Sequence, residues 1–182
     1  MPGIIYKICL ENEELRKLEQ ARDLWKTTVK VTEQPIKEIY TGKDISADDL
    51  SIDHFVPRSY ISNDELWNLI PMSRSLNSSK NNKLPSWETF FIPFARYQFY
   101  LYGLILPQDA DRRSQLLFRK FEKCRKNNLN AIWASEKLYK GGNTEEQFMN
   151  ILSDNLKPIY EAAKLQGYDI WKINNESRGH SI

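Results

Sequence analysis

The chain has little that would fasten a fold covalently: of its 182 residues only two, Cys9 and Cys124, are cysteine. Two thiols cannot build a four-thiolate zinc site, and an isolated pair in a chain without a signal-peptide pattern reads as two reduced thiols in a reducing, cytoplasmic setting. Long apolar runs are missing too. The most apolar stretch, about residues 90–106, is interrupted by Pro93, Arg96 and Gln98, which excludes a membrane span and a membrane partner. Glycine (7) and proline (8) are scarce while 41% of residues are hydrophobic, so a collagen-like repeat or disordered linker is excluded and a packed core is expected. A strong charge of one sign is also absent. The net charge is +2, too small by itself to indicate a nucleic-acid partner.

The charge that is present is unevenly placed. Residues 1–53 carry a net −3, residues 54–108 a net +2 and residues 109–182 a net +3. Arg112 to Lys126 alone holds seven basic residues against Glu122. On a helix at about 100° per residue, Arg112, Arg119, Lys123 and Lys126 share one face, and Leu117, Phe121 and Cys124 lie opposite. Such a stripe is either a solvated surface or a set of phosphate contacts.

Periodicity divides the chain into three. Asn12 is a candidate N-cap for an amphipathic helix through Leu15, Leu18, Ala21, Trp25 and Val29, ended by Pro35; residues 1–35 are expected to be an N-terminal helix. Residues 36–86 read as short strands and loops. A run Ile36 to Tyr40 meets the turn Thr41-Gly42-Lys43, and Leu50 to His54 alternates as a half-buried strand that Pro57 stops. Arg58 to Glu65 is loop, Leu66 to Ile70 is expected as a second strand closed by Pro71, and Arg74 to Lys80 as a short helix. Residues 87–182 are expected to be helical and to pack on this core: Ser86 can cap a helix entering Trp87, Phe90, Phe91, Phe94 and Tyr97. Thr144 to Gln147 has capping-box spacing, and Pro158 is expected to kink or split the last helix. The run from Phe90 to Tyr102 could stack on bases, but its spacing of three and four reads as core. The fold class is thus α+β, mostly helical.

The chemistry concentrates in Asp53-His54-Phe55-Val56-Pro57, Asn68-Leu69-Ile70-Pro71 and Asn77-Ser78-Ser79-Lys80. Fourteen residues separate His54 from Asn68, and nine separate Asn68 from Asn77. Adjacent strand residues point to opposite faces, so Asp53 and His54 can serve one site only if the strand ends or twists between them; Pro57 permits that. Oxygen donors such as Asp53 and the Asn77 carbonyl suit one hard cation, Mg²⁺ or Mn²⁺, with Asn81 and Asn82 as alternatives to Asn77. A neutral imidazole nearby can deprotonate a water, which together with the cation is the minimum for hydrolysing a phosphodiester. A lone strand histidine is usually structural, and His180, without such company, is read that way; His54 is set apart by its neighbours.

These three pieces resemble the HNH nucleases, whose ββα-metal motif runs Asp-His-x-x-Pro, Asn-Leu-x-Pro and Asn-x-x-Lys. The resemblance spans about residues 39–86, and the Asn77 variant looks most like the HNH domain of RNA-guided CRISPR effector nucleases. It implies His54 as general base, Asp53 and Asn77 as ligands of one divalent cation, and Asn68 as a catalytic-site residue fixing the loop between the strands. Many relatives carry two Cys-x-x-Cys zinc knuckles. Tyr40-Thr41 and Arg74-Ser75 stand near where those thiols would be, so no structural zinc is expected and the core must be held by packing, with Phe55, Trp67 and the downstream helices as material. Nucleic-acid contacts are expected from Arg58, Arg74, Lys80 and Lys83, and from Arg112, Arg119, Lys123 and Lys126. DNA is the expected substrate, with RNA open. The resemblance leaves the biological setting open among restriction, homing, phage packaging and phage defence. A homodimer, a partner subunit, or a binding module whose cleavage depends on a partner docked on the C-terminal helices are competing arrangements.

Overall fold

The computed structural model describes the backbone of residues 3–61, 64–109, 111–126 and 133–173, with side chains described for 18–61, 64–109, 111–125 and 136–173. The chain runs α1 (Gly3–Thr32), β1 (Ile36–Lys37), β2 (Asp44–Ile45), β3 (Leu50–His54), a 3₁₀ turn (Leu66–Asn68), β4 (Leu69–Ser73), α2 (Arg74–Lys80), α3 (Trp87–Ile105), α4 (Arg112–Lys126), α5 (Trp133–Leu138) and α6 (Glu145–Leu165). It is 57% helical with two small antiparallel sheets, a mostly helical α+β fold. No helix among the described residues is long and apolar enough to cross a membrane.

Helix α1 passes through Asn12 rather than starting there. It ends where Glu33 takes a left-handed φ of 56° and its N–H reaches the Val29 carbonyl at 2.9 Å, two residues before Pro35. The buried face of α1, with Ala21, Leu24 and Trp25, packs on β3, β4 and α4. Trp25 stacks on Tyr97 of α3 with ring centroids 5.0 Å apart.

The central unit is the β3–β4 hairpin followed by α2. Its second strand covers Leu69–Ser73, three residues later than the alternation suggested, and Pro71 lies inside it. Register explains this. Ile52 faces Pro71, and the Phe55 N–H bonds the Asn68 carbonyl at 2.8 Å. Antiparallel pairs alternate between bonded and unbonded, so the bonded 55/68 pair makes 52/71 an unbonded one, where proline costs no ladder bond. Residues 66–68 instead form the 3₁₀ turn that buries Leu66, Trp67 and Asn68.

Helix α3 covers the hairpin with aromatic side chains, and α6 packs on α3. Phe55 lies 4.3 Å from Phe94 and 6.2 Å from Trp87, centroid to centroid. The Phe90 to Tyr102 run is core in the main: Phe90, Phe91, Phe94 and Tyr102 are buried, while Tyr100 is exposed. Ser86 precedes α3 but makes no backbone cap bond; its hydroxyl meets Thr89 Oγ1 instead. The capping box of α6 is complete: Thr144 Oγ1 accepts the Gln147 N–H, and Gln147 Oε1 accepts the Thr144 N–H. Pro158 does not split α6. Both Pro158 and Asp154 are exposed, so water can take up the carbonyl left without its N–H donor.

The chain returns to the hairpin unit after α6. Leu84 and Ile170 form a parallel bridge, with the Leu84 N–H on the Asp169 carbonyl (2.9 Å) and the Trp171 N–H on the Leu84 carbonyl (2.6 Å). The buried indole of Trp171 meets Tyr40 edge-on.

Candidate active site

Strand β3 ends at His54, as Pro57 required, and that ending brings Asp53 and His54 to one cavity despite strand alternation. The cavity, about 530 Å³, is lined by Ser51, Asp53, His54, Pro57, Arg58, Arg74, Asn77, Ser78, Asn81 and Asn82. Strand β3 contributes its floor, α2 one wall, and the loop after Pro57 the other.

Each reactive group is held by a named neighbour. Asp53 is 7% exposed, and its Oδ2 sits 2.8 Å from Lys80 Nζ. Lys80 also donates to the His54 carbonyl at 2.8 Å and is fully buried. Its expected phosphate contact is therefore replaced by an internal one: the ammonium has no surface to offer and ties α2 to the end of β3. His54 is 6% exposed; its Nε2 lies 2.8 Å from Asp64 Oδ1, and Arg58 Nε donates to the same oxygen at 3.2 Å.

Asn68 is completely buried and does not line the cavity. Its Nδ2 donates to the Val56 carbonyl and its Oδ1 accepts the Val56 N–H, both at 2.9 Å. This two-bond clamp closes the turn that follows His54. The Asn68 side chain thus acts on the turn after His54 and not on the cavity wall.

Asn77 turns its amide nitrogen toward β3, donating to Ser51 Oγ at 2.5 Å and the Ile52 carbonyl at 3.3 Å. The residue lines the cavity, and its carbonyl oxygen is not engaged by either of these bonds. With Asp53 Oδ2 buried against Lys80, the second carboxylate oxygen of Asp53 is the one able to meet a ligand there. Two hard oxygen donors at one cavity fit Mg²⁺ or Mn²⁺, which keep several waters and take substrate oxygens as further ligands. Among the described residues no cluster of three or more His, Cys, Asp or Glu could hold an ion unaided.

Of the basic residues, Arg58 and Arg74 line the cavity, and exposed Lys83 does not. Arg112, Arg119 and Lys123 are exposed on α4, with Leu117 and Phe121 buried beneath them. That helix packs on α1 and α3, and its cations line clefts other than the one holding His54: Lys123 with α1, Arg119 beside Phe118 and Ile105. The side chains of Lys126, Cys9 and His180 lie outside the described residues.

Glu38 and Asp64 were not singled out from the sequence. Glu38, 4% exposed, accepts from Ser73 N–H (2.9 Å) and Ser73 Oγ (2.8 Å) with one oxygen and from Thr41 Oγ1 (2.5 Å) with the other. It joins the β1–β2 turn to the start of α2, the two segments where thiol knuckles would stand. Tyr40, buried nearby, has its phenol pKa raised by burial, then by the charges of Asp53 and Glu38.

Residues 38–86 match the family model of the HNH endonucleases, and this segment is of the HNH family. Neither the curated proteins nor the solved structures searched give a match to the chain.

Proposed function

We propose that this HNH segment makes the protein a metal-dependent endonuclease that hydrolyses DNA phosphodiester bonds. The observation that carries the reading is the convergence of Asp53, His54, Asn77, Arg58 and Arg74 on one open cavity. Arg58 and Arg74, which line it, would grip a phosphate entering it. Asp53 and Asn77 would hold one Mg²⁺ or Mn²⁺, which when bound neutralises charge developing on the phosphate. His54 takes the proton of the attacking water, and the Lys80–Asp53 pair and the Asn68 clamp keep the two reactive residues in register.

The test is supercoiled plasmid incubated with purified protein and Mg²⁺ or Mn²⁺, beside EDTA and His54→Ala controls. Nicked or linear DNA should form only with metal, and His54→Ala should lose at least about 100-fold in rate while retaining DNA binding. Cleavage by His54→Ala at the wild-type rate would remove the histidine from this role, and cleavage in EDTA would remove the cation. A second reading, a nuclease that cuts only when docked on a partner subunit, draws support from the basic face of α4, which lies off the cavity.

A further inference from the structure

We infer that Asp64 is a positioning residue for His54, fixing the imidazole through Nε2 so that Nδ1 is the nitrogen that receives the proton. The inference rests on the nuclease reading above and names a residue that neither the motif nor the family match assigns a role.

Three observations converge on Asp64. Its carboxylate is nearly inaccessible, with a side chain 2% exposed, yet it stands 2.8 Å from a histidine that lines the cavity. The loop is folded to bring it there: Tyr60 and Ile61 both donate backbone N–H bonds to the Pro57 carbonyl, at 2.9 and 3.1 Å, turning the chain back toward β3. The loop is then braced from outside, where the Tyr168 hydroxyl donates to Ser59 Oγ at 3.0 Å and its ring packs edge-on against Tyr60.

The chemical consequence follows from the two ring nitrogens. A carboxylate accepts hydrogen bonds, so a neutral imidazole facing Asp64 through Nε2 carries its proton there and presents an unprotonated Nδ1. Among the described residues Nδ1 has no protein hydrogen-bond partner, and it is not among the buried unpaired atoms. It is the nitrogen left to meet a water. Once Nδ1 takes the proton of the attacking water, the imidazolium bears a positive charge against the buried carboxylate, which stabilises it without itself taking the proton. Arg58 donates to the same Asp64 oxygen while lining the cavity, so the guanidinium facing the phosphate and the imidazole facing the water share one anchor.

Two measurements test this. The chain has only two histidines, so long-range ¹H–¹⁵N spectra at pH 8, assigned with His180→Gln, read the His54 tautomer without requiring activity. Wild type should show a protonated Nε2 and an unprotonated Nδ1, and Asp64→Ala should lose that single tautomer. A wild-type spectrum with the proton on Nδ1, or an Asp64→Ala spectrum unchanged from wild type, overturns the proposal. This arm still decides if wild type proves unable to cut DNA alone, an outcome that counts against the nuclease reading only.

The second measurement is a double-mutant cycle of single-turnover plasmid cleavage. Asp64→Ala should slow the His54 enzyme by about 10- to 100-fold. In a His54→Gly background supplied with free imidazole it should have little further effect, because there is no tethered ring to orient. An equal loss in both backgrounds would mark Asp64 as merely structural and overturn the positioning role. Should Asp64→Ala fail to fold, Asp64→Leu fills the space while offering Nε2 no acceptor, and a His54 tautomer indifferent to that change would equally overturn it.

Discussion

Lys80 shows how burial changes a residue's role. A lysine at the end of a short exposed helix is ordinarily a solvated cation, and beside a nuclease motif it invites a phosphate contact. Here its stem is enclosed and its ammonium meets Asp53 Oδ2 and the His54 carbonyl, 2.8 Å from each. Breaking a buried pair from one side leaves the other charge uncompensated, at about 3–5 kcal/mol. Lys80→Met should therefore lower unfolding stability by about that amount in urea titration; a loss under 1 kcal/mol would show that Asp53 finds another partner. Asn68 belongs to the same scale: its amide replaces a stretch of sheet ladder that the turn after His54 cannot supply for itself.

At the scale of elements, the ββα unit is small and would be poorly held by its own two strands. Glu38 and the flanking helices supply the rest. Glu38 ties β1–β2 to the β4–α2 junction through three hydrogen bonds. The turn that lets it do so needs Gly42, whose φ of 73° is strained for any residue with a Cβ. Glu38→Ala should cost about 2–3 kcal/mol, since a bond to a charged acceptor contributes about 1.5–3 kcal/mol and the half-buried Thr41 and Ser73 groups it releases can turn to water. Hydrogen exchange should place the loosening at residues 38–45 and 72–75, and an unchanged exchange pattern there would reject the stapling role. Helix α3 adds a further tie, with Gln98 Nε2 donating to the buried Leu69 carbonyl at 2.6 Å.

Across the whole molecule, one buried cluster extends from Ala21 of α1 to Trp171 after α6 and includes the residues under the cavity. Its borders enclose titratable groups kept neutral. Burial, then the charge of Asp23, pushes the Cys124 thiol up to about 12, and burial pushes the Tyr160 phenol up to about 12. Since the thiolate is the nucleophile, Cys124 should resist iodoacetamide at pH 8 in the native protein and react once the chain is unfolded, as read by peptide mass mapping. Rapid native labelling of Cys124 would contradict its burial. The linkage sign follows: both folded pKa values lie above the unfolded ones, so the stability they contribute is full below about pH 9. It is lost as pH rises toward 12, where the unfolded chain releases its protons first. Melting temperature should fall over that interval, and a flat profile between pH 9 and 11 would contradict the shifts.

Local order was enough to show the ββα unit, because alternation, turn residues and the spacing of Asp53, His54, Asn68 and Asn77 are properties of neighbouring residues and of short loops. The same holds for the amphipathic α4 and the capping box of α6, where period and cap chemistry act within a few residues. What lies between elements could not be read this way. The strand register that seats Pro71, the burial of Lys80, the Glu38 staple between segments 35 residues apart and the return of Asp64 to His54 depend on which surfaces meet. A carboxylate carries no periodicity that announces its partner. Only packing decides whether it faces water or another chain segment, and so only the tertiary structure could separate a surface charge from an anchor.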